Sequence, residues 1–185
     1  MEERPERISA GRPLAHADES GYGPEPMAST ALVHARTDSR QIAAMGVIMV
    51  AVLWFDLMFD VQVLRRGASQ DEALQSIAAY YRRVTTAARP MSRLVATVML
   101  ATIAAIVVQI ARGDGPGWAA WASLVLTGSA IGIAAAQTFP SAVRLGARGD
   151  SLEGQEGLAR AILRDHLVCL VAIAAVLVIQ LAFVG

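Results

Sequence analysis

The chain contains 185 residues, of which 16 are basic and 16 acidic, so its net charge is zero and gives no reason to expect nucleic-acid binding. Its single cysteine, Cys169, excludes an intrachain disulfide and a cysteine-rich metal site. Every basic residue is arginine and asparagine is absent. This bias is typical of a GC-rich genome and indicates a bacterial source.

The first 40 residues differ in character from the rest of the chain. They hold four prolines, several glycines and acidic residues scattered among arginines, without an apolar period. Such a segment cannot bury enough surface to offset the entropy lost on ordering, so residues 1–40 are predicted to be a disordered extracytoplasmic tail. Glu2 and Glu3 argue against a secretory signal. Met27 offers an alternative start of translation.

Four long apolar runs follow the tail, at about 41–64, 92–111, 118–139 and 166–184. Each approaches the ~20 residues that a helix needs to cross about 30 Å of hydrocarbon. A soluble fold could not cover four such runs with the polar residues that remain. We therefore predict an all-α polytopic membrane protein, in which residues 41–185 form a four-helix transmembrane bundle built as two helical hairpins.

The distribution of arginine predicts the orientation of the bundle. Most arginines lie in the connection between the first two spans and in the connection between the last two. The positive-inside rule places both connections in the cytoplasm and both termini outside. Together with the residue bias, this pattern predicts a multi-pass protein of the bacterial cytoplasmic (inner) membrane.

The first connection contains a predicted helix of its own. Ser69 followed by Glu72 is a capping-box pattern, which is typical of a helix start. Apolar positions then recur at helical spacing: Leu74, Ile77, Tyr81 and Val84. The pattern predicts a short amphipathic helix at the inner membrane interface, where tyrosine and arginine are favoured. A plain connecting helix and a lipid sensor or docking site both fit it.

The third span carries a stripe of small residues. Gly128, Gly132 and Ala136 recur every four residues, which allows two helix backbones to approach closely inside lipid. We predict that this stripe is a helix-packing face. Packing within the chain's own bundle and packing in a homo-oligomer both use such a face, and we favour the first.

Two aspartates in the first span are the most informative polar residues. A carboxylate at the centre of a membrane helix costs roughly 2.5–3.5 kcal/mol, so such residues usually face a bundle interior. Asp56 and Asp60 are four residues apart and therefore share one helix face. Other polar side chains are expected at a similar depth: Arg93, Gln137, Asp165, His166 and Cys169. We predict that these groups converge at the cytoplasmic end of the bundle.

Three roles fit this group. In the first, the charges neutralise one another: Asp60 pairs with Arg93 or extends toward Arg65 and Arg66, while Asp56 accepts hydrogen bonds or stays protonated. In the second, Asp56 and Asp60 bind a proton or cation while Arg93 and His166 tune their charge. In the third, Asp56, Asp60 and His166 supply the donor types that a hard or borderline metal prefers.

The functional prediction depends on short loops and on the absence of any recognisable catalytic motif. We predict no catalytic residue, metal or cofactor, and a non-catalytic accessory or assembly component of a larger membrane complex rather than an enzyme. The expected partners are the lipid bilayer and other membrane-protein subunits or a second copy of the chain, without nucleic acid. Proton or cation transport is the first alternative, and a metal-dependent membrane enzyme is the second.

Overall fold

The computed structural model describes residues 25–65, 67–87 and 89–184, with side chains from residue 40 onward except at 68, 87 and 89–91. Six α-helices occur within these residues: α1 Glu25–Asp60, α2 Gln70–Arg82, α3 Arg89–Arg112, α4 Gly117–Ile133, α5 Phe139–Ala147 and α6 Leu152–Ile179. The short segments Val61–Leu64 and Gly67–Ser69 are 3-10 turns, and Arg83–Ala87, Ala134–Thr138 and Gln180–Val184 are π-helical turns. The described residues contain no strand, which confirms the all-α fold.

Four helical segments are long and apolar enough to cross a membrane: Arg40–Leu64, Ser92–Arg112, Gly117–Ala147 and Leu152–Val184. Successive spans pack side by side, and the first span also packs against the fourth, so the four form a closed ring. The short connections make neighbouring spans antiparallel, as in an up-and-down bundle. The predicted four-helix transmembrane bundle is confirmed.

Three boundaries differ from the sequence prediction, and one of them is the start of the fourth span, which lies at Leu152 instead of near residue 166. Residues 1–24 of the predicted disordered tail lie outside the described residues, whereas residues 25–40 belong to α1. The third span does not end near residue 139. A π turn precedes Pro140, which lacks a backbone N–H, and the helix continues to Ala147. It ends because Arg148 adopts a left-handed conformation with a φ of 53°.

Helix α2 packs on protein rather than on lipid. Its apolar face, which includes Leu74, Ile77 and Tyr81, is buried in one cluster with residues of α5 and of the first half of α6. The predicted amphipathic helix is therefore present, but its apolar side is covered by the chain itself. The predicted capping box does not form, because Ser69 lies in a 3-10 turn and its side chain makes no cap hydrogen bond. We call the end formed by α2, α5 and the start of α6 the arginine-rich end.

Helices α2 and α5 approach each other most closely at Gly146. A Cβ atom on Gly146 would lie 2.9 Å from the backbone nitrogen of Arg82 and 3.1 Å from its Cα. The first distance is shorter than real Cβ contacts and the second is tighter than most of them, so the backbone of α2 would have to move. Glycine is therefore needed here because a neighbouring backbone occupies the space of a side chain.

The small-residue stripe does not pack against the residues that the structure describes. A Cβ atom on Gly128 or Gly132 would meet no atom within 4 Å, and Ala136 is exposed. The packing face of α4 carries Ser123, Thr127 and Ala130 instead, all of which are buried. The preferred interpretation, packing inside the chain's own bundle, is wrong because α4 turns its hydroxyl-bearing face inward. Contact with another molecule stays a prediction.

The opposite end of the bundle, which we call the turn end, is closed by a tight turn between the second and third spans. Gly113 and Gly115 have positive φ angles of 70° and 80°, a conformation that favours glycine. The Trp118 ring lies edge to face against the Phe183 ring, with centroids 5.0 Å apart. The turn therefore holds the second, third and fourth spans together at this end.

Candidate functional site

Asp60 is the centre of a buried polar group at the arginine-rich end. Its side chain is 0% exposed. The Tyr81 hydroxyl donates a hydrogen bond to Asp60 Oδ1 at 2.6 Å. Asp60 Oδ2 lies 2.6 Å from Nδ1 of His166, whose side chain is 9% exposed. Each carboxylate oxygen thus has one close partner, supplied by α2 in one case and by α6 in the other.

Asp56 makes a parallel set of contacts one helical turn away. The Tyr80 hydroxyl donates to Asp56 Oδ1 at 2.6 Å, and the Tyr80 ring stacks on Phe59 with centroids 4.1 Å apart. Asp56 Oδ2 lies 4.0 Å from Nε2 of His166. The His166 ring therefore stands between two carboxylates, and each carboxylate also accepts from a tyrosine of α2. We call these five residues the Asp–His–Tyr cluster: Asp56, Asp60, Tyr80, Tyr81 and His166.

The two tyrosines keep their hydroxyl protons throughout the physiological range. Burial raises the pKa of Tyr81, and the charge of Asp60 together with its hydrogen bond raises it further. Burial likewise raises the pKa of Tyr80, and the hydrogen bond to Asp56 adds to the shift. Both hydroxyls are therefore permanent donors, and α2 is bound to α1 through charge-assisted hydrogen bonds.

A third acidic side chain lies at the edge of the cluster. Asp165 is buried; its Oδ2 accepts from the Thr138 hydroxyl at 3.4 Å, and its Oδ1 lies 3.1 Å from the Arg164 guanidinium. Thr138 belongs to the π turn that joins α4 to α5, so this contact ties the third span to the fourth. The thiol of Cys169, one turn further on, donates to the carbonyl of Ala130 at 3.5 Å.

The structure brings together three of the four proton or cation candidates. Asp56, Asp60 and His166 meet as described, whereas Arg93 is exposed and pairs with none of the described residues. The predicted pair of Asp60 with Arg93 is therefore wrong, because Tyr81 and His166 occupy both carboxylate oxygens. Gln137 is also exposed, since the π turn directs its neighbour Thr138 inward.

Sequence reasoning missed Tyr80 and Tyr81 as partners of the aspartates. It placed Tyr81 on the apolar face of α2 and attached no role to Tyr80. The signal that was available is the adjacent tyrosine pair at the end of a helix whose connection to Asp60 is only nine residues long, from Val61 to Ser69. A connection that short keeps α2 beside the end of the first span.

The polar atoms of the Asp–His–Tyr cluster that could ligate a metal contact one another. Asp60, Asp56 and His166 were the donors considered for a metal, yet each aspartate already accepts from a tyrosine and His166 faces both. Among the described residues, no group of three or more histidine, cysteine or acidic side chains has a geometry that could hold a metal ion. The arrangement is suited to joining α1, α2 and α6.

A second buried polar group lies toward the turn end. The side-chain amides of Gln109 and Gln180 donate to each other, at 3.3 and 3.2 Å, and Gln180 also donates to the Ser123 hydroxyl at 3.0 Å. All three side chains are buried. The group therefore links the second, third and fourth spans, and Gln180 occupies the first position of the last π turn.

This amide pair yields a testable prediction on stability. Gln180→Leu leaves the buried amide of Gln109 without its main partner, whereas Gln109→Leu/Gln180→Leu removes both polar groups. We expect the double variant to lose less unfolding free energy than the two single variants lose together, with a coupling energy of about 1 kcal/mol. The free energies of unfolding of both single variants and of the double variant are measured in mixed detergent micelles. Strictly additive changes would contradict the reciprocal bonding.

The fold and its polar interior define a class: a four-span helical membrane protein in which the two described polar clusters hold the spans and the connecting helix in place. The chain belongs to the SHR3 chaperone family, described as ER membrane protein SH3, whose family model matches residues 37–184. The match begins close to the start of the first span and covers most of the chain. Comparisons with curated proteins and with solved structures gave no match.

Family membership decides the coarse function and corrects the location. The chain is a multi-pass membrane accessory protein whose partners are membrane proteins. The predicted bacterial inner-membrane location is wrong, because the family is described as an ER membrane protein, which points to the ER membrane. Arginine-only usage without asparagine reflects base composition, and base composition does not identify a membrane.

Proposed function

We propose that the chain is a non-catalytic chaperone that holds other multi-span membrane proteins while they assemble in the ER membrane. The observation that carries the proposal is the match of residues 37–184 to the SHR3 chaperone family. The polar interior supports it, because the Asp–His–Tyr cluster and the glutamine pair satisfy each other and leave the interior committed to holding the fold. Contacts with another protein then depend on the outer faces of the spans.

The open stripe on the third span is the face that we assign to such contacts. Gly128 and Gly132 have no atom within 4 Å of where a side chain would begin, and Ala136 is exposed on the same stripe. Inside lipid, helices associate through close van der Waals packing, and small residues allow the closest approach. A helix of a client protein packs against this stripe without any change in the chaperone's own bundle.

The proposal can be tested in cells that lack the chain. We expect loss of the chain to raise the detergent-insoluble fraction of multi-span ER membrane proteins. Expression of the wild-type chain should restore their solubility. Gly128→Leu/Gly132→Leu should fail to restore it, because leucines cover the stripe while leaving the fold intact. The matched control Ala101→Leu/Ala104→Leu adds similar volume to two exposed positions on the second span and should restore it fully.

The two parts of the proposal fail separately. If loss of the chain leaves every multi-span protein soluble, the chaperone function is overturned. If both leucine variants restore solubility equally, the function stands and the assignment of the stripe is overturned. Co-purification from mild detergent adds a direct measure, with a loss of roughly tenfold in bound client expected for the stripe variant, equivalent to ~1.4 kcal/mol.

Proton or cation handling is the weaker candidate. The Asp–His–Tyr cluster supplies the residue types of a proton relay. However, the apolar residues Met49, Ala130, Cys169 and Ile173 pack together in a core cluster of their own, apart from both polar groups. The contacts of the described residues therefore favour a structural role for the two aspartates.

A further inference from the structure

The described arginines of the arginine-rich end fall into two sets. One set is paired with acidic side chains: Arg144 with Asp150 at 2.8 Å, Arg148 with Asp71 at 3.4 Å, Arg160 with Glu156 at 2.6 Å and Arg164 with Asp165 at 3.1 Å. All four lie on α5, on α6 or between these two helices. Their charges are thus largely compensated by the chain itself.

The other set has no such compensation. Arg65, Arg82, Arg83 and Arg93 are all exposed, and none forms an ion pair or a side-chain hydrogen bond with the residues that the structure describes. We call these four residues the basic patch. They lie where the first span ends, where α2 ends and where the second span begins. The segments that carry them contact one another in chain order, so the four arginines are gathered at the same end of the bundle.

The neighbours of the basic patch fix its depth in the membrane. Leu64, next to Arg65, is 58% exposed, and Leu94, next to Arg93, is 53% exposed. Leucines exposed at the ends of two spans face hydrocarbon, and arginine side chains beside them extend into the headgroup layer. The patch therefore lies at the boundary between acyl chains and headgroups, beside the first and second spans.

We propose that the basic patch binds the headgroups of anionic phospholipids. A guanidinium group binds phosphate oxygens through two parallel charge-assisted hydrogen bonds, and anionic headgroups add a charge that zwitterionic lipids lack. A bilayer surface offers phosphate and hydrocarbon side by side, which matches the exposed leucines next to Arg65 and Arg93. An acidic segment of a protein offers carboxylates without a hydrocarbon layer beside them, so the lipid is the better fit.

The test uses the full chain and two matched triple variants. The patch variant R65Q/R83Q/R93Q and the control variant R144Q/R148Q/R160Q each remove three charges from exposed side chains at the same end of the bundle. Each protein is placed in bilayer discs of equal parts phosphatidylcholine and phosphatidylserine. Native mass spectrometry then counts the lipids of each type that remain bound after release from the disc.

We expect the wild-type chain and the control variant to retain more phosphatidylserine than phosphatidylcholine. In the patch variant the ratio of bound phosphatidylserine to bound phosphatidylcholine should fall roughly tenfold. High salt should reduce the wild-type preference in the same direction. Equal retention by the two variants, or no preference in the wild type, overturns the proposal. A patch variant that keeps the lipid preference but loses co-purifying proteins also overturns it and assigns the patch to an acidic protein segment.

Discussion

Replacing Asp60 by alanine should cost the folded protein about 3 kcal/mol of unfolding free energy, a typical loss when one member of a buried charged group is removed. The reason is that two buried groups lose their shared partner at once. Without Asp60, the Tyr81 hydroxyl and Nδ1 of His166 are left buried without the acceptor that each contacts at 2.6 Å. The attachment of α2 to the first and fourth spans weakens together with the bundle.

The matched comparison is Asp56→Ala. Asp56 also accepts from a tyrosine, but it lies 4.0 Å from His166, whereas Asp60 lies 2.6 Å from it, so its removal leaves only one close partner unsatisfied. We expect a cost of about 1 kcal/mol for this change, as for an ordinary hydrogen bond. Unfolding of both variants in mixed detergent micelles, with proteolysis of the 65–91 connection as a second readout, measures the difference. Equal costs for the two aspartates would contradict the central position of Asp60.

Replacing Gly146 by alanine should have the next largest effect on the arginine-rich end. The added methyl group would lie 2.9 Å from the backbone nitrogen of Arg82, and a backbone atom cannot move aside as a flexible side chain can. Overpacking of this kind typically costs 1–3 kcal/mol, and we expect about 2 kcal/mol. Helix α2 should separate from α5, which makes the connection between the first two spans more accessible to protease.

Gly157→Ala provides the control for this change. Gly157 lies in α6, is exposed, and has no atom within 4 Å of where its side chain would begin. Alanine at an exposed helical position is better than glycine by up to about 1 kcal/mol, so this variant should be as stable as the wild type or more so. If Gly146→Ala matched Gly157→Ala in stability, the close approach of α2 and α5 would be disproved.

The features that could be predicted from sequence are those fixed by single helices. Hydropathy and length determine the four spans, and a spacing of four residues determines that Asp56 and Asp60 share a face. The start of α6 also has a local signal, because the hydroxyl of its N-cap Ser151 accepts from the backbone N–H of Gly154, although the predicted span began only near residue 166. These signals are local, because each depends on the period and end chemistry of one helix.

The features that could not be predicted depend on which surface a helix meets. The apolar face of α2 suits a lipid interface and a protein surface equally well, and only packing against α5 and α6 decides between them. The small-residue stripe similarly fits an inward or an outward face of α4. Hydroxyl groups on the other face were the missing signal, because Ser123 finds a buried partner in Gln180.

The contact between Asp60 and His166 joins residues that are 106 positions apart, and it imposes an order of events during synthesis. The ribosome delivers Asp60 and then Tyr81 to the membrane well before the fourth span exists. Until that span arrives, Asp60 has only one of its two partners and α2 lacks the part of its covering surface that α6 supplies. The arginine-rich end can therefore close only after the fourth span has been synthesised, and closure of that end marks the moment at which the four-helix bundle is assembled.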